Sequence, residues 1–184
     1  SDLVNPDLNE DIYNLIEAAD LVPEQEAKLE RELGRQYHIL TRDDRLDTIA
    51  HDIVQNFLGR GFLGKAMVVS IDKATALRMY GKVRDFWLTE KDRVQKELKR
   101  TDLKDEDKTA LKIRLETLET TDMALVVSPG QNEIQQMETL GLDIVPHRKR
   151  MNDEDLDEKF KTPHDPLRIV FLCAMWLTGF DVES

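Results

Sequence analysis

The sequence predicts an α/β fold in which a mostly parallel sheet is covered by helices. Three observations carry that expectation. Runs near 66–71, 123–128 and 167–173 are apolar at consecutive positions, the pattern of strands buried on both faces. Helical patterns alternate with them, so the order reads β-α-(αα)-β-α-α-β. Turn formers, Pro129-Gly130 and His164-Asp165-Pro166, stand where the chain must leave or enter a strand.

The elements follow in chain order. Residues 1–40 are an acidic helical lead-in segment: the first 32 residues hold about ten Asp and Glu against Lys28 and Arg31, a charge block read as a solvated tail or arm. Within it, 14–19 and 24–33 have helical character. Thr41 is the expected N-cap of the next helix, with Asp43 and Asp44 in its first turn. Leu46, Ile49, Ala50, Ile53, Val54 and Phe57 recur at helical spacing, and Gly59 or Gly61 ends the run. After the first strand, Asp72 or Ser70 caps a helix over about 73–87, with Leu77, Tyr80, Val83 and Trp87 near one stripe.

Residues 88–120 change character. Lys and Arg nearly balance Asp and Glu, apolar positions are sparse, and neither glycine nor proline occurs. Val94 and Leu98, then Leu111, Ile113, Leu115 and Leu118, predict an inserted antiparallel helical hairpin turning near 101–107. Its balanced charge reads as a solvated helix face, and a coiled-coil partner site is the sharper alternative. Beyond the second strand, Asn132 starts a short helix through Leu140, and Gly141 ends it. Residues 143–150 read as a basic loop, and 153–161 as a short acidic helix anchored by Leu156 and Phe160.

Composition excludes several classes. The chain has 184 residues, 40% of them hydrophobic and 34% charged, as in a folded domain of ordinary size. It has neither a run of membrane-spanning length nor a signal-type leader, so no membrane role is expected. A single cysteine, Cys173, forms no internal disulfide, and a reducing cytoplasm is the expected compartment. The four histidines lie apart, without metal spacing, so no metal ligand is assigned. No catalytic residue is assigned either. The net charge of −11 argues against a stand-alone DNA-binding module, since phosphate contacts need a basic surface.

Two segments invite chemistry. Gly59-Arg60-Gly61-Phe62-Leu63-Gly64-Lys65 has the spacing of a phosphate-binding P-loop through its lysine. Ala66 stands where the magnesium-binding hydroxyl belongs, and the pattern follows a helix and opens a strand, the reverse of a P-loop. The second is Thr178-Gly179-Phe180-Asp181, beyond the last strand. Loops at strand C-termini are where open α/β sheets gather ligand groups. A glycine lets backbone approach a nucleotide closely, and an Asp carboxylate can accept ribose hydroxyls. The plain alternative is a strand-end turn with a capping Asp.

Trp176-Leu177-Thr178-Gly179-Phe180-Asp181, preceded by Asp165-Pro166-Leu167-Arg168-Ile169-Val170, resembles motif V of the superfamily 2 helicase motor in the R subunit of type I restriction-modification enzymes. Gly64-Lys65-Ala66-Met67-Val68-Val69-Ser70-Ile71-Asp72-Lys73-Ala74 is similar to motif IV of the same motor. Between them, 124–128 and Gln131-Asn132-Glu133 follow in the family's order. The resemblance covers roughly residues 40–184. One departure is Glu183, where the family carries a proline two residues after the Asp.

The resemblance implies a three-layer RecA-like (P-loop NTPase-type) fold. Residues 41–184 would be part of the second RecA-like helicase motor domain, with the helical insertion at 88–120. It places Gly179 and Asp181 at a nucleotide cleft between two motor domains, and Thr178, Ser70, Lys73 and Ser128 along the nucleic-acid backbone. For Ser70 and Ser128, helix capping is an equal alternative. Arg148, Lys149 and Arg150 are the densest basic run, a phosphate contact or a solvated loop. Trp176 stacks on a base or belongs to the core.

The implied parent couples ATP and Mg to DNA translocation and distant cleavage. Its implied partners are double-stranded DNA, the first RecA-like motor domain and nuclease domain of the same chain, and the specificity and methyltransferase subunits. These 184 residues are then expected to be a piece of a larger protein, holding no cofactor stably alone. Another superfamily 2 helicase is one alternative. A non-enzymatic interaction domain using the acidic arm and the 88–120 hairpin is another. With no P-loop and no paired acidic magnesium motif, the 184-residue chain is expected to release no phosphate from ATP above background, with DNA present. Steady release in a coupled phosphate assay would refute that.

Overall fold

The computed structural model describes residues 22–174. Seven helices and three strands occur among them: α1 (Pro23–Leu40), α2 (Asp43–Gly59), β1 (Ala66–Ser70), α3 (Lys73–Glu97), α4 (Asp105–Thr120), β2 (Asp122–Leu125), α5 (Glu133–Thr139), α6 (Val145–Asp153), α7 (Leu156–Lys161) and β3 (Leu167–Cys173). The strands form one small parallel sheet in the order β1-β3-β2. In β3, Leu167, Ile169, Val170 and Phe171 are all buried. A central parallel strand has no solvent face, so consecutive apolar residues are what it requires.

Alternation along the strands divides the core. Met123, Leu125, Ile169 and Phe171 pack with Ala50, Val54, Phe57, Leu77, Val83 and Trp87 of α2 and α3. Ala124, Leu167 and Val170 face the other way, onto Leu156, with Phe160 at the margin. Helices therefore lie on both faces, but the second face has only the short α7 and part of α6 to cover it.

Four local readings are corrected. Thr41 closes α1 rather than opening α2: its N–H and hydroxyl both donate to the Tyr37 carbonyl, at 2.9 and 2.8 Å. Arg42 takes the N-cap position of α2 without a side-chain cap. The helix begun at Lys73 does not stop near 87 but runs unbroken for 25 residues to Glu97, because 82–97 contains no breaker. The hairpin at 88–120 is thus the distal half of α3 folded against α4. Residues 145–153 are helix α6, not a basic loop; proline in the first turn pre-sets the helical φ.

The hairpin is held at three points. Trp87, buried, donates its indole N–H to the Leu118 carbonyl at 2.9 Å, and its ring meets Phe57 edge-on at 5.7 Å. Glu90, also buried, accepts from Arg93 and Arg114, and Arg114 reaches on to Gln55 of α2. Lys82 joins α3 to Asp43 and Asp47 of α2. Leu118 is the buried residue of α4, whereas Ile113 is 61% exposed.

The lead-in helix is tied to the sheet. Tyr37 of α1 is buried and donates its hydroxyl to Asp72 at 2.8 Å, while Leu29, Leu33, Ile71 and Ala174 pack around it. Trp87→Ala removes a large buried ring and the bond to α4, and is expected to cost about 3–5 kcal/mol in urea unfolding. Ile113→Ser, on the open face of α4, should stay within about 0.5 kcal/mol. Equal costs for the two would contradict this packing.

Candidate functional site

Parallel strands bring all their C-terminal ends to one edge, and α/β proteins use that edge for ligands. Ser70 ends β1, and Ser128 lies three residues beyond β2. Lys73 opens α3 directly above this edge. Three of the residues singled out from sequence therefore share it. Thr178, Gly179, Asp181 and Trp176 lie outside the described residues.

Each of the three has a partner. Ser70 is buried, and its carbonyl accepts from the Ala174 N–H at 2.7 Å, carrying the β1-β3 pairing past the end of the strand. Asp72 caps α3 by accepting from the Thr75 N–H at 2.7 Å, which fixes where Lys73 projects. Lys73 Nζ lies 3.0 Å from a Glu133 carboxylate oxygen, and its side chain is 11% exposed. Ser128 is exposed.

Glu133 organises this edge, a role that no local pattern announces. It opens α5 behind Asn132, whose φ of 57° is left-handed and turns the chain sharply into the helix. Its carboxylate receives Arg148 from α6 at 2.7 and 2.6 Å, a two-pronged contact, as well as Lys73 from α3. Arg148 spends its other donors on the Val127 and Ser128 carbonyls, both at 3.1 Å. One buried acid thus joins three helices and pins the loop after β2. Burial works to raise the Glu133 carboxyl, but the bonds from Arg148 and Lys73 outweigh it and hold the group below its ordinary 4.5.

The basic run of α6 divides by helical spacing. Arg148 points to Glu133. Arg150 pairs with Asp122 and Glu154 and donates to the Met123 carbonyl at 2.8 Å. Its guanidinium is held above its ordinary range, chiefly by Asp122. Lys149 is exposed, paired one turn on with Asp153. Two of the three cations are thus structural, and Lys149 alone faces solvent.

Lys65 is removed from phosphate chemistry by its surroundings. Its ammonium donates to the Leu167 and Asp165 carbonyls at 2.6 and 3.0 Å, where β3 begins. That is the edge opposite the strand C-termini. Burial lowers its pKa. The described residues therefore contain no phosphate cradle at 59–65. Nor do they contain a group of His, Cys, Asp and Glu able to hold a metal, or a helix long and apolar enough to cross a membrane.

Fold and edge define a class: a small parallel α/β unit whose strand-end edge is clamped by an internal ion network. The particular likeness is to a protein of Methanocaldococcus jannaschii named "Putative type I restriction enzyme MjaIXP endonuclease subunit". The two are 28% identical over 184 residues, and the alignment takes in 98% of this chain but 13% of that protein. This supports a relation to type I restriction enzymes. No family profile matches the sequence, and no solved structure matches it.

The network makes a pH prediction. A carboxyl depressed on folding contributes stability that is complete above its ordinary 4.5 and is lost as pH falls through the lower folded value. Glu133→Gln leaves Arg148 and Lys73 without their shared anion and should cost about 3 kcal/mol at pH 7. The gap from the parent sequence should narrow near pH 3 in urea titrations. A gap that is independent of pH would contradict the assignment.

Proposed function

We propose that this chain is part of the second RecA-like domain in the ATP-driven DNA translocase of a type I restriction R subunit. The observation that carries the proposal is the likeness over 98% of the chain to a named endonuclease subunit of such an enzyme. The motif V and motif IV wording and the shared strand-end edge support the finer assignment to the motor.

On this reading the chain does not hydrolyse ATP by itself. The nucleotide and its Mg belong to the cleft with the first motor domain, and Gly179 and Asp181 supply this chain's side of it. Ser70, Lys73, Ser128 and Thr178 form the track for the DNA backbone, where serine hydroxyls and backbone N–H groups position phosphate without reading sequence. The net charge of −11 fits a subordinate DNA role, with the rest of the parent supplying the basic groove. Closure on nucleotide is passed to DNA as a step through the loop joining the two sets of residues. The specificity and methyltransferase subunits complete the assembly.

The test is Asp181→Ala in the full-length R subunit. Loss of a contact that forms only in the closed, reacting state lowers turnover. DNA-stimulated ATPase should fall tenfold or more, roughly 1.4 kcal/mol per decade, and translocation and cleavage should fall with it. Assembly with the other subunits should persist. Asp85→Ala, an exposed position on α3, is the control and should retain activity. Normal ATPase in the Asp181 variant would remove the residue-level claim.

A further inference from the structure

Helix α4 is covered on one side only. Leu118 is buried, and Leu111 and Leu115 pack on the core with it. Elsewhere on the helix a cleft of about 580 Å³ opens, to which α4 contributes Ala110, Ile113, Thr117 and Thr120, and the loop after α2 contributes Phe62 and Leu63. The α4 positions stand three or four residues apart, so they form a stripe along the helix, about 15 Å long at 1.5 Å per residue. Ile113 is 61% exposed, Phe62 66% and Leu63 57%. Exposed apolar side chains are ordinary when scattered, but gathered from distant segments into one cleft they mark a contact surface. Phe62 is also held in place. The Arg60 guanidinium lies 5.0 Å from its ring centroid and 4.0 Å from that of Phe57. On its other flank the ring comes so near Gly64 that a Cβ there would stand 3.0 Å from it. An aromatic fixed before binding loses little freedom on contact.

The cleft carries an unanswered charge as well. Arg168, the second residue of β3, lines it and spends Nη1 on the hydroxyls of Thr120 and Thr121, at 3.1 and 2.9 Å. Its Nε and Nη2 meet no acceptor among the described residues. Those two nitrogens are the fork that grips a carboxylate in two-pronged fashion. Arg114, also on the cleft, is already committed to Glu90, and Arg150 elsewhere to Asp122. Arg168 has no acid among the described residues. One turn back along α4, Glu116 lines the cleft, exposed and without a cation among the described residues.

We propose that this cleft seats an amphipathic helix from another domain of the R subunit. The helix lies along α4, with aliphatic side chains on Ile113, Phe62 and Leu63 and a carboxylate in the fork of Arg168. A basic side chain one turn along it answers Glu116. A groove that follows a helix for about three turns, with anchors three and four residues apart, fits a helix rather than a strand. The inference rests on the reading of this chain as part of an R subunit. The alignment takes in 13% of the named relative, so most of such a protein lies in other domains. A tethered domain meets the cleft at high effective concentration, which a modest contact area needs. The first motor domain is not the source, because on that reading it faces the strand C-termini, and Arg168 stands at the opposite edge.

The experiment is maleimide labelling of Ile113→Cys in the full-length R subunit and in the 184-residue chain. Peptide mass mapping gives the rate at that position relative to the same protein in urea. Labelling in the 184-residue chain should approach the urea rate, because the cleft is open there. In the full-length subunit it should be slower by roughly tenfold or more, as for a thiol reached only by local opening. Adding Arg168→Glu, which turns the fork against its carboxylate, should bring the full-length rate back toward that of the short chain. Cooperative urea unfolding of the variant shows that the fold is kept. Where Arg168→Glu does not fold, Arg168→Gln, which keeps a donor for the two threonines, is read in its place. Fast labelling in the full-length subunit overturns the proposal, and so does protection that survives loss of the Arg168 charge. Protection in the 184-residue chain overturns it too: if lost on dilution it assigns the cleft to a second copy, and if kept, to another part of this chain. The ATPase of the same subunit, measured in parallel, tests the motor reading separately. An inactive enzyme with a protected Ile113→Cys thiol counts against the motor and leaves the docked helix standing.

Discussion

Every hydrogen bond that makes β1 and β2 one sheet passes through β3, the last strand in the chain and the middle one in space. Ala66 finds its partner Ile169 only after about a hundred intervening residues have been placed. Closing so long a loop costs entropy that grows slowly with length, but it delays the return until late. The α3-α4 hairpin has the opposite character, because its two helices are neighbours in the chain and meet through Trp87 and Leu118 and through Glu90 and Arg114. It can form early and offer Leu77, Val83 and Trp87 as a surface on which the strands assemble. Lys65 belongs to the same arrangement: by donating to the carbonyls at the start of β3 it fixes where the central strand enters, and Ala174 to Ser70 fixes where it leaves.

The distribution of charge follows a related rule. Several half-buried cations are met by acids from other parts of the chain: Lys73 and Arg148 share Glu133, Arg114 meets Glu90, and Arg150 meets Asp122. A buried charge without its partner is far more costly than the pair is favourable. These contacts therefore act less as glue than as conditions on how helices can be placed. Most of the excess acid falls in residues 1–21 and 175–184, which carry eight Asp and Glu and no Lys or Arg.

Much of this architecture is legible in the sequence where a single element decides it. The strand cores, the α2 stripe, the Asp72 cap and the C-terminal gathering of Ser70, Lys73 and Ser128 follow from local pattern and from the parallel arrangement. Boundaries between elements are less legible. Nothing chemical separates residues 73–87 from 88–97, so a change of composition reads as a break where the backbone continues. Thr41 suits either end of a helix, and only the carbonyl of Tyr37 decides. Glu133 is the plainest failure: its partners lie 60 and 15 residues away, and a lone acid at a helix start has the look of an ordinary dipole partner. Tyr37 is the same case, because its hydroxyl is answered by Asp72 across a gap that no periodicity spans.

Gly130 gives the clamped edge an adjustment of its own. A methyl group there would sit 3.2 Å from Lys73 Nζ, tighter than the ammonium accepts without moving. The flexible end of the lysine yields before the backbone does, by a few tenths of an ångström, and so loosens its 3.0 Å contact with Glu133 while Arg148 keeps its two-pronged hold. The bulk of one loop side chain would thus set how firmly α3 is tied to α5 at this edge, with no change in the count of charged residues and with every strand and helix left where it is.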